Sequence, residues 1–209
     1  LPIVMGRWSP LIALGLALGL WLFAAGITNI WARIKQLPEG SLLARLGKLP
    51  RSYWGMSIAH LGVGVFVIGV TLVNSYATEK DLRMNVGDTV EVGSYTFRFN
   101  GTTEAPGPNY VAARGFFEVL SGNTVVTKLY PEKRSYRAMG QVMTEAAIDI
   151  GFTRDLYVSL GEPIPDSRGS WSVRVYHKPF INWIWGGCVL MALGGFFALC
   201  GAVACGELG

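Results

Sequence analysis

The sequence predicts a membrane α-helical protein with three transmembrane helices plus an all-β periplasmic domain, a small barrel or sandwich. Three observations lead there. The 209-residue chain is 51% hydrophobic and only 15% charged, against the quarter or so of charged residues in a soluble domain. Its charges avoid three windows, 8–32, 52–78 and 179–206, each longer than the roughly 20 apolar residues that cross a hydrocarbon core. Between the second and third windows the apolar period switches from helical to alternating, punctuated by turn pairs.

The first window predicts a span over 10–31. It is too long for a signal peptide and lacks a small-residue cleavage site behind its apolar run. Gly15 and Gly19 stand in G-x-x-x-G spacing, which lets another helix approach closely. In the loop that follows, 33–51, Arg33, Lys35, Arg45, Lys48 and Arg51 face the single acid Glu39, so the loop is cytoplasmic under the positive-inside rule. Arg7 flanks the outer end of the first span. The second span, 53–76, carries Gly55, Gly62, Gly64 and Gly69. It leads out to a domain over 79–178, in the periplasm or its organellar equivalent.

In that domain Thr89 to Val92 and Tyr95 to Phe99 flank Gly93-Ser94, and Phe116 to Leu120 and Thr124 to Leu129 flank Ser121-Gly122-Asn123; both read as hairpins. Ala147 to Ile150, Leu156 to Leu160 and Ser172 to Tyr176 add short β candidates, for six or seven strands in all. The last region, 179–209, is a third transmembrane helix over about 180–204 with a C-terminal tail. Trp183 and Trp185 near its start suit the headgroup boundary. The organisation is thus 1–78, 79–178 and 179–209. Cys188, Cys200 and Cys205 all fall in the last window, where they read as small apolar residues rather than a disulfide framework. A start at Leu1 and the abrupt tail from Cys205 to Gly209 suggest a piece of a larger protein, whose further helices would pack against these three.

Among residues that could carry chemistry, His60 stands first, about 13 Å into the second span from Arg51 by helix rise. An ionisable group at that depth is a functional candidate, and no charged residue shares its span, so a partner is expected from another helix, a cofactor or water. Gly64 lies one turn along the same face and, with Gly55 and Gly62, thins the side-chain wall. A macrocycle could approach there, with the imidazole donating a lone pair to iron; proton transfer and a structural hydrogen bond between helices stay open beside it. His177, in Tyr176-His177-Lys178-Pro179-Phe180, reads as an interfacial anchor, with a second ligand or a haem-propionate contact as the alternative. Lys178, Arg174 and Arg51 have lipid phosphates as ordinary partners. The stretch from Glu132 to Arg137 reads as a solvated basic turn, or as a dock for an acidic partner. The net charge of +4 comes from scattered residues, so nucleic acid is excluded as a partner. Without a Ser/His/Asp set, a metal cluster or a phosphate loop, independent hydrolytic or phosphoryl-transfer chemistry is excluded too.

Three segments in order then give the chain a likeness. Trp54-Gly55-Met56-Ser57-Ile58-Ala59-His60-Leu61-Gly62, Leu129-Tyr130-Pro131-Glu132-Lys133-Arg134, and Tyr176-His177-Lys178-Pro179-Phe180-Ile181-Asn182-Trp183-Ile184-Trp185-Gly186-Gly187 together resemble the C-terminal third of the CcmF family of cytochrome c-type biogenesis proteins. The resemblance runs from about Arg7 to Leu199. It implies the haem lyase of a multi-component maturation pathway in the bacterial inner membrane, or the mitochondrial equivalent. Such a protein takes substrate haem from a periplasmic haem chaperone and joins it by thioether bonds to the CxxCH motif of an apocytochrome c, alongside thiol-reducing maturation subunits. It implies as well an internal haem b that keeps the substrate haem reduced, with His60 as one axial ligand and the second axial ligand outside this chain. The family's tryptophan-rich signature and its other haem histidines belong to the preceding N-terminal portion, the first expected partner beside membrane lipids. His177 matches none of the family's ligands. The rival reading is a transport or sensor subunit, with His60 in a proton relay and the β domain binding a solute or partner.

Overall fold

The computed structural model describes residues 9–38, 40–138, 140–165 and 169–206, with side chains to Gly201 in the last helix. The readings placed on Arg7, on Glu39, on the Cys205 side chain and on the tail beyond Gly206 lie outside the described residues. The chain divides into two compact units, Leu1–Tyr76 with Phe180–Gly209, and Ala77–Pro179.

The first unit holds α1 (Pro10–Lys35), a short α2 (Leu42–Gly47), α3 (Arg51–Tyr76) and α4 (Ile181–Gly206). Three of them, α1, α3 and α4, are long and apolar enough to cross a membrane. Ser9 caps α1 by accepting from the Ile12 amide at 3.3 Å, and Pro10 fills the first helical position, where no N–H is needed. Helices α3 and α4 meet through glycines. A Cβ on Gly55 would lie 2.6 Å from Gly194 O, one on Gly62 2.8 Å from Gly187 O, and one on Gly69 2.9 Å from Ile184 N. Rising residue numbers on α3 meet falling ones on α4, so the pair is antiparallel. The seven-residue step keeps all three glycines on one face. The Gly15 and Gly19 pair of α1 packs on α3 against Thr71 and Ile68. Ile12, Ile68, Leu72 and Tyr76 form the small buried core of this unit, with Phe180 and Trp183 packed on it.

The second unit is a sandwich whose described residues form ten strands: β1 (Thr78–Met84), β2 (Thr89–Val92), β3 (Tyr95–Pro106), β4 (Tyr110–Ser121), β5 (Thr124–Leu129), β6 (Glu132–Tyr136), β7 (Val142–Glu145), β8 (Ala147–Ile150), β9 (Arg154–Pro163) and β10 (Trp171–Pro179). One sheet has the order β1-β10-β9-β8, the other β2-β3-β4-β6-β7, with β5 also on β4. Both ladders are antiparallel throughout. The long β4 serves two partners in succession, β6 along Tyr110 to Arg114 and β5 along Phe117 to Ser121. The inward positions of both sheets make one core, in which Phe97, Phe99 and Phe117 are completely buried and the last two stack at 4.9 Å.

Both expected hairpins are present, at Gly93 and Gly122, each with positive φ. Among the described residues the strands number ten rather than six or seven, and the stretch from Glu132 is strand β6 rather than a turn. The charges of Glu132, Lys133 and Arg134 are paired, two of them within the sheet and Lys133 with the other sheet. Glu132 is buried and takes Arg114 and Arg134, Lys133 takes Glu162, and Arg134 also reaches Glu145. Burial works against ionisation of Glu132, yet hydrogen bonds from Arg134 and Arg114 win and hold its carboxyl below the usual range.

Candidate functional site

His60 stands on α3 in a helix whose polar side chains look after themselves. The Ser57 hydroxyl donates to Tyr53 O at 2.9 Å, Thr71 to Val67 O at 2.7 Å and Ser75 to Thr71 O at 2.6 Å. Each satisfies its donor one turn back, which is how a hydroxyl rides a helix through an apolar medium. His60 does the same, with Nδ1 2.8 Å from Met56 O. A carbonyl oxygen only accepts, so Nδ1 carries the proton and the ring is held in one tautomer.

The imidazole differs from the hydroxyls in what is left over. With Nδ1–H committed to Met56, Nε2 keeps an unshared pair in the plane of a fixed ring. That ring is exposed on the helical unit. Part of the expected partnership is therefore found within its own helix, contrary to the expectation that it must all come from elsewhere. The ring also sits on the surface of this three-helix unit rather than inside it. On the same seven-residue stripe of α3 lie Tyr53 and the exposed Asn74. The Tyr53 hydroxyl is buried without a hydrogen-bond partner among the described residues. Asn74 stands two seven-residue steps from His60, a spacing that is present in the sequence.

The glycines near His60 have other occupants than a macrocycle. Gly64 approaches α1, where a Cβ would lie 3.2 Å from Phe23 Cε2 and 3.5 Å from Gly19 O. Gly55 and Gly62 face α4. Of the two approaches expected at Gly64, the one present is to a helix. The residues that could hold an iron-bearing group are thus His60 through Nε2, with Met56 as its orienting partner. No group of three or more His, Cys, Asp or Glu suited to a metal ion occurs among the described residues. Cys188 and Cys200 are free thiols.

His177 does not behave as an interfacial anchor. It points into the sandwich from β10, its ring 5.7 Å from that of Tyr95. Its Nδ1 is buried without a hydrogen-bond partner among the described residues. It lies under the β2–β3 turn, where a Cβ on Gly93 would come within 2.8 Å of Nδ1 and the backbone has φ of +64°. Arg154, which donates to Tyr95 Oη at 3.3 Å and pairs with Asp149, completes this end of the core. Burial, then the Arg154 charge, push the His177 pKa down. Arg174 is occupied by Asp81 at 2.6 Å and by Glu79, and Lys178 lies over the Tyr176 ring. The ring side chains and bases at this boundary are thus mostly engaged with one another.

Residues 75–179 match the family model described as the CcmF C-terminal beta-sandwich. The chain is 46% identical over 181 residues to the cytochrome c-type biogenesis protein CcmF of Pseudomonas aeruginosa, covering 87% of this chain and 27% of that protein. It is 42% identical over 186 residues to CcmF of Escherichia coli, covering 89% and 27%. A solved structure named cytochrome c heme lyase CcmF superposes with a TM-score of 0.65 at 19% identity, over 90% of this chain and 33% of that one. At that identity the superposition speaks for the fold alone. The chain therefore spans roughly a quarter to a third of the length of the relatives it matches. With the sandwich, the flanking helices and these likenesses in agreement, the chain belongs to the CcmF family of cytochrome c-type biogenesis proteins.

Proposed function

We propose that this chain is the C-terminal part of a cytochrome c haem lyase, and that His60 is an axial ligand of an internal b-type haem whose second axial ligand comes from outside the chain. The observation that carries the reading is the division of labour within one ring. Nδ1–H is spent on Met56 O at 2.8 Å, and Nε2 is left with its lone pair on an exposed face of a membrane-crossing helix. A ligand histidine needs that arrangement, since the bond at the far nitrogen fixes the tautomer and orients the ring toward the metal. The donor set fits haem iron, which accepts one imidazole from each side, better than a zinc or calcium site built from several ligands of one chain.

When bound, the haem would supply electrons that keep the substrate haem ferrous for thioether formation. His60 contributes a fixed lone pair, Met56 holds the ring, and the glycine seams of α3 hold the helix that carries them. Family membership supports a set of partners drawn from the maturation pathway: the N-terminal portion of the protein, a periplasmic haem chaperone, the apocytochrome c and its thiol-reducing subunits. The basic loop 33–51 supports an inner-membrane orientation with the sandwich in the periplasm.

The test is an absorption spectrum of the full-length protein carrying His60→Ala. The expected outcome is loss of most of the b-type Soret and reduced α bands at unchanged protein yield, with partial recovery by added imidazole, which replaces the missing ligand atom. Normal haem content and redox behaviour in the variant would remove His60 from the site.

A further inference from the structure

Helices α1 and α3 touch along part of their length and part along the rest. They meet at Gly15 with Thr71, at Gly19 with Ile68 and at Gly64 with Phe23, where an added Cβ would collide or press on its neighbour. Beyond Phe23, toward the basic loop, a groove of about 210 Å³ opens between them. Its walls include Gly26 and Ile30 of α1 and Trp54, Ser57 and Ile58 of α3. Gly26 differs from the glycines further along, because a Cβ there would meet nothing within 4 Å. The missing side chain opens space instead of admitting a helix.

The groove presents hydrocarbon. Its hydroxyl, on Ser57, is turned back onto Tyr53 O, and the Trp54 indole donates to Leu46 O at 3.4 Å, outside the groove. Water filling the space would find almost no partners, so an apolar occupant is favoured. At the loop end the chemistry changes sign. One turn beyond Ile30 on α1 stands Arg33, on the same face, and one turn beyond Trp54 on α3 stands Arg51, at the rim between the groove and α4, where a Cβ on Gly201 would lie 3.2 Å from Arg51 Cβ. Both are exposed, and neither joins an ion pair among the described residues. Lys35, by contrast, is occupied over the Trp31 ring at 5.4 Å. An apolar trough capped on each wall by a free cation matches one amphiphile in both halves.

We propose that the α1–α3 groove is a binding site for an anionic phospholipid of the leaflet on the basic-loop side, with an acyl chain over Gly26 and the phosphate served by Arg33 and Arg51. The proposal is independent of the haem reading, since none of these residues touches His60's hydrogen bond. Native mass spectrometry of the full-length protein, titrated with phosphatidylglycerol and with phosphatidylcholine of identical acyl chains, tests it. The expected result is one retained phosphatidylglycerol, preferred roughly 30-fold on the basis of about fivefold per cation near an anionic headgroup. The double variant Arg33→Gln, Arg51→Gln should bring that preference close to one. Gly26→Leu should abolish retention of both lipids while leaving the thermal unfolding midpoint in place, since its side chain enters open space. A photoreactive amino acid in place of Ile27, which lines the groove and is 68% exposed, identifies the occupant directly. A phospholipid adduct supports the proposal, and a crosslink to another protein segment overturns it by making the groove a helix seat. Equal retention of the two lipids, or retention untouched by Gly26→Leu, overturns it as well.

Discussion

The interior of the sandwich is made of side chains, whereas the contacts that join the helices are made largely by leaving side chains out. Phe97, Phe99, Phe117, Leu156, Leu160 and Val175 are completely or almost completely buried in the β unit. In the helical unit Leu11, Leu20, Trp21, Trp185 and Leu199 stay more than 60% exposed, while Gly55, Gly62 and Gly69 bring the backbones of α3 and α4 together. The difference follows from the solvent each unit is written for. Water rewards burial of apolar surface, so a sandwich facing water fills its centre. Lipid gives no such reward, so helices associate by close backbone packing and leave their large apolar side chains to the hydrocarbon.

If that contrast is right, the two units should be broken by opposite changes. Emptying the sandwich has the largest expected effect. Phe97→Ala removes a ring with no solvent exposure from the centre of the core and should cost about 3–5 kcal/mol, read as accelerated proteolysis of the β unit of the full-length protein in a urea series. Filling the helix seam comes next. Gly62→Leu places a Cβ 2.7 Å from Met191 N and 2.8 Å from Gly187 O, backbone atoms that cannot turn aside, at a cost of about 1–3 kcal/mol or more. Its signature is a lowered thermal midpoint in detergent with the sandwich's protease resistance unchanged. Should Gly62→Leu be as well tolerated as a substitution at Gly26, where there is room, close backbone approach would not be what joins these helices.

The same contrast explains how far the sequence could be read. Lipid writes a coarse, long signal, and the three span-length helices came directly from the charge-free windows. The β strands were legible where one face is strongly apolar, as in Tyr95 to Phe99 and Ala147 to Ile150. They were missed where charge covers an edge. Strand β1, Thr78–Met84, carries Glu79, Lys80, Asp81 and Arg83 and pairs only with β10, so its alternation is muted. Strand β6 reads as a turn in the sequence because Glu132, Lys133 and Arg134 are consecutive charges. Their partners lie far off in sequence: Arg114 and Glu145 meet them on the neighbouring strands β4 and β7, and Glu162 meets Lys133 from β9 of the other sheet. At the candidate site the histidine was visible, but its hydrogen bond to Met56 O was not, since the sequence holds no mark of which nitrogen a helix carbonyl will claim. The glycines around it were visible too. Only the packing tells that Gly64 serves α1 and Gly62 serves α4.

The smallest expected effect tests whether His177 belongs to the filled core or to the boundary. Its ring is turned inward beside Tyr95 and Arg154, with Asp149 on the far side of that arginine. Burial first, and the Arg154 charge second, disfavour its protonated form, so its folded pKa lies below the ordinary 6.5. Above pH 6.5 the ring is neutral in folded and unfolded chains alike, and the sandwich has its full stability. As the pH falls below 6.5 the unfolded chain takes up a proton first, and stability drains away until the folded pKa is passed. Proteolysis of the sandwich in the full-length protein should therefore quicken between pH 7.5 and 5.5, a window above the range where carboxylates titrate. His177→Phe keeps a ring under Gly93 but cannot bind the proton, and should flatten that dependence. Equal slopes in the two proteins would mean that the imidazole reaches water when it titrates, and that the filled core ends one layer short of β10's last turn-facing residue.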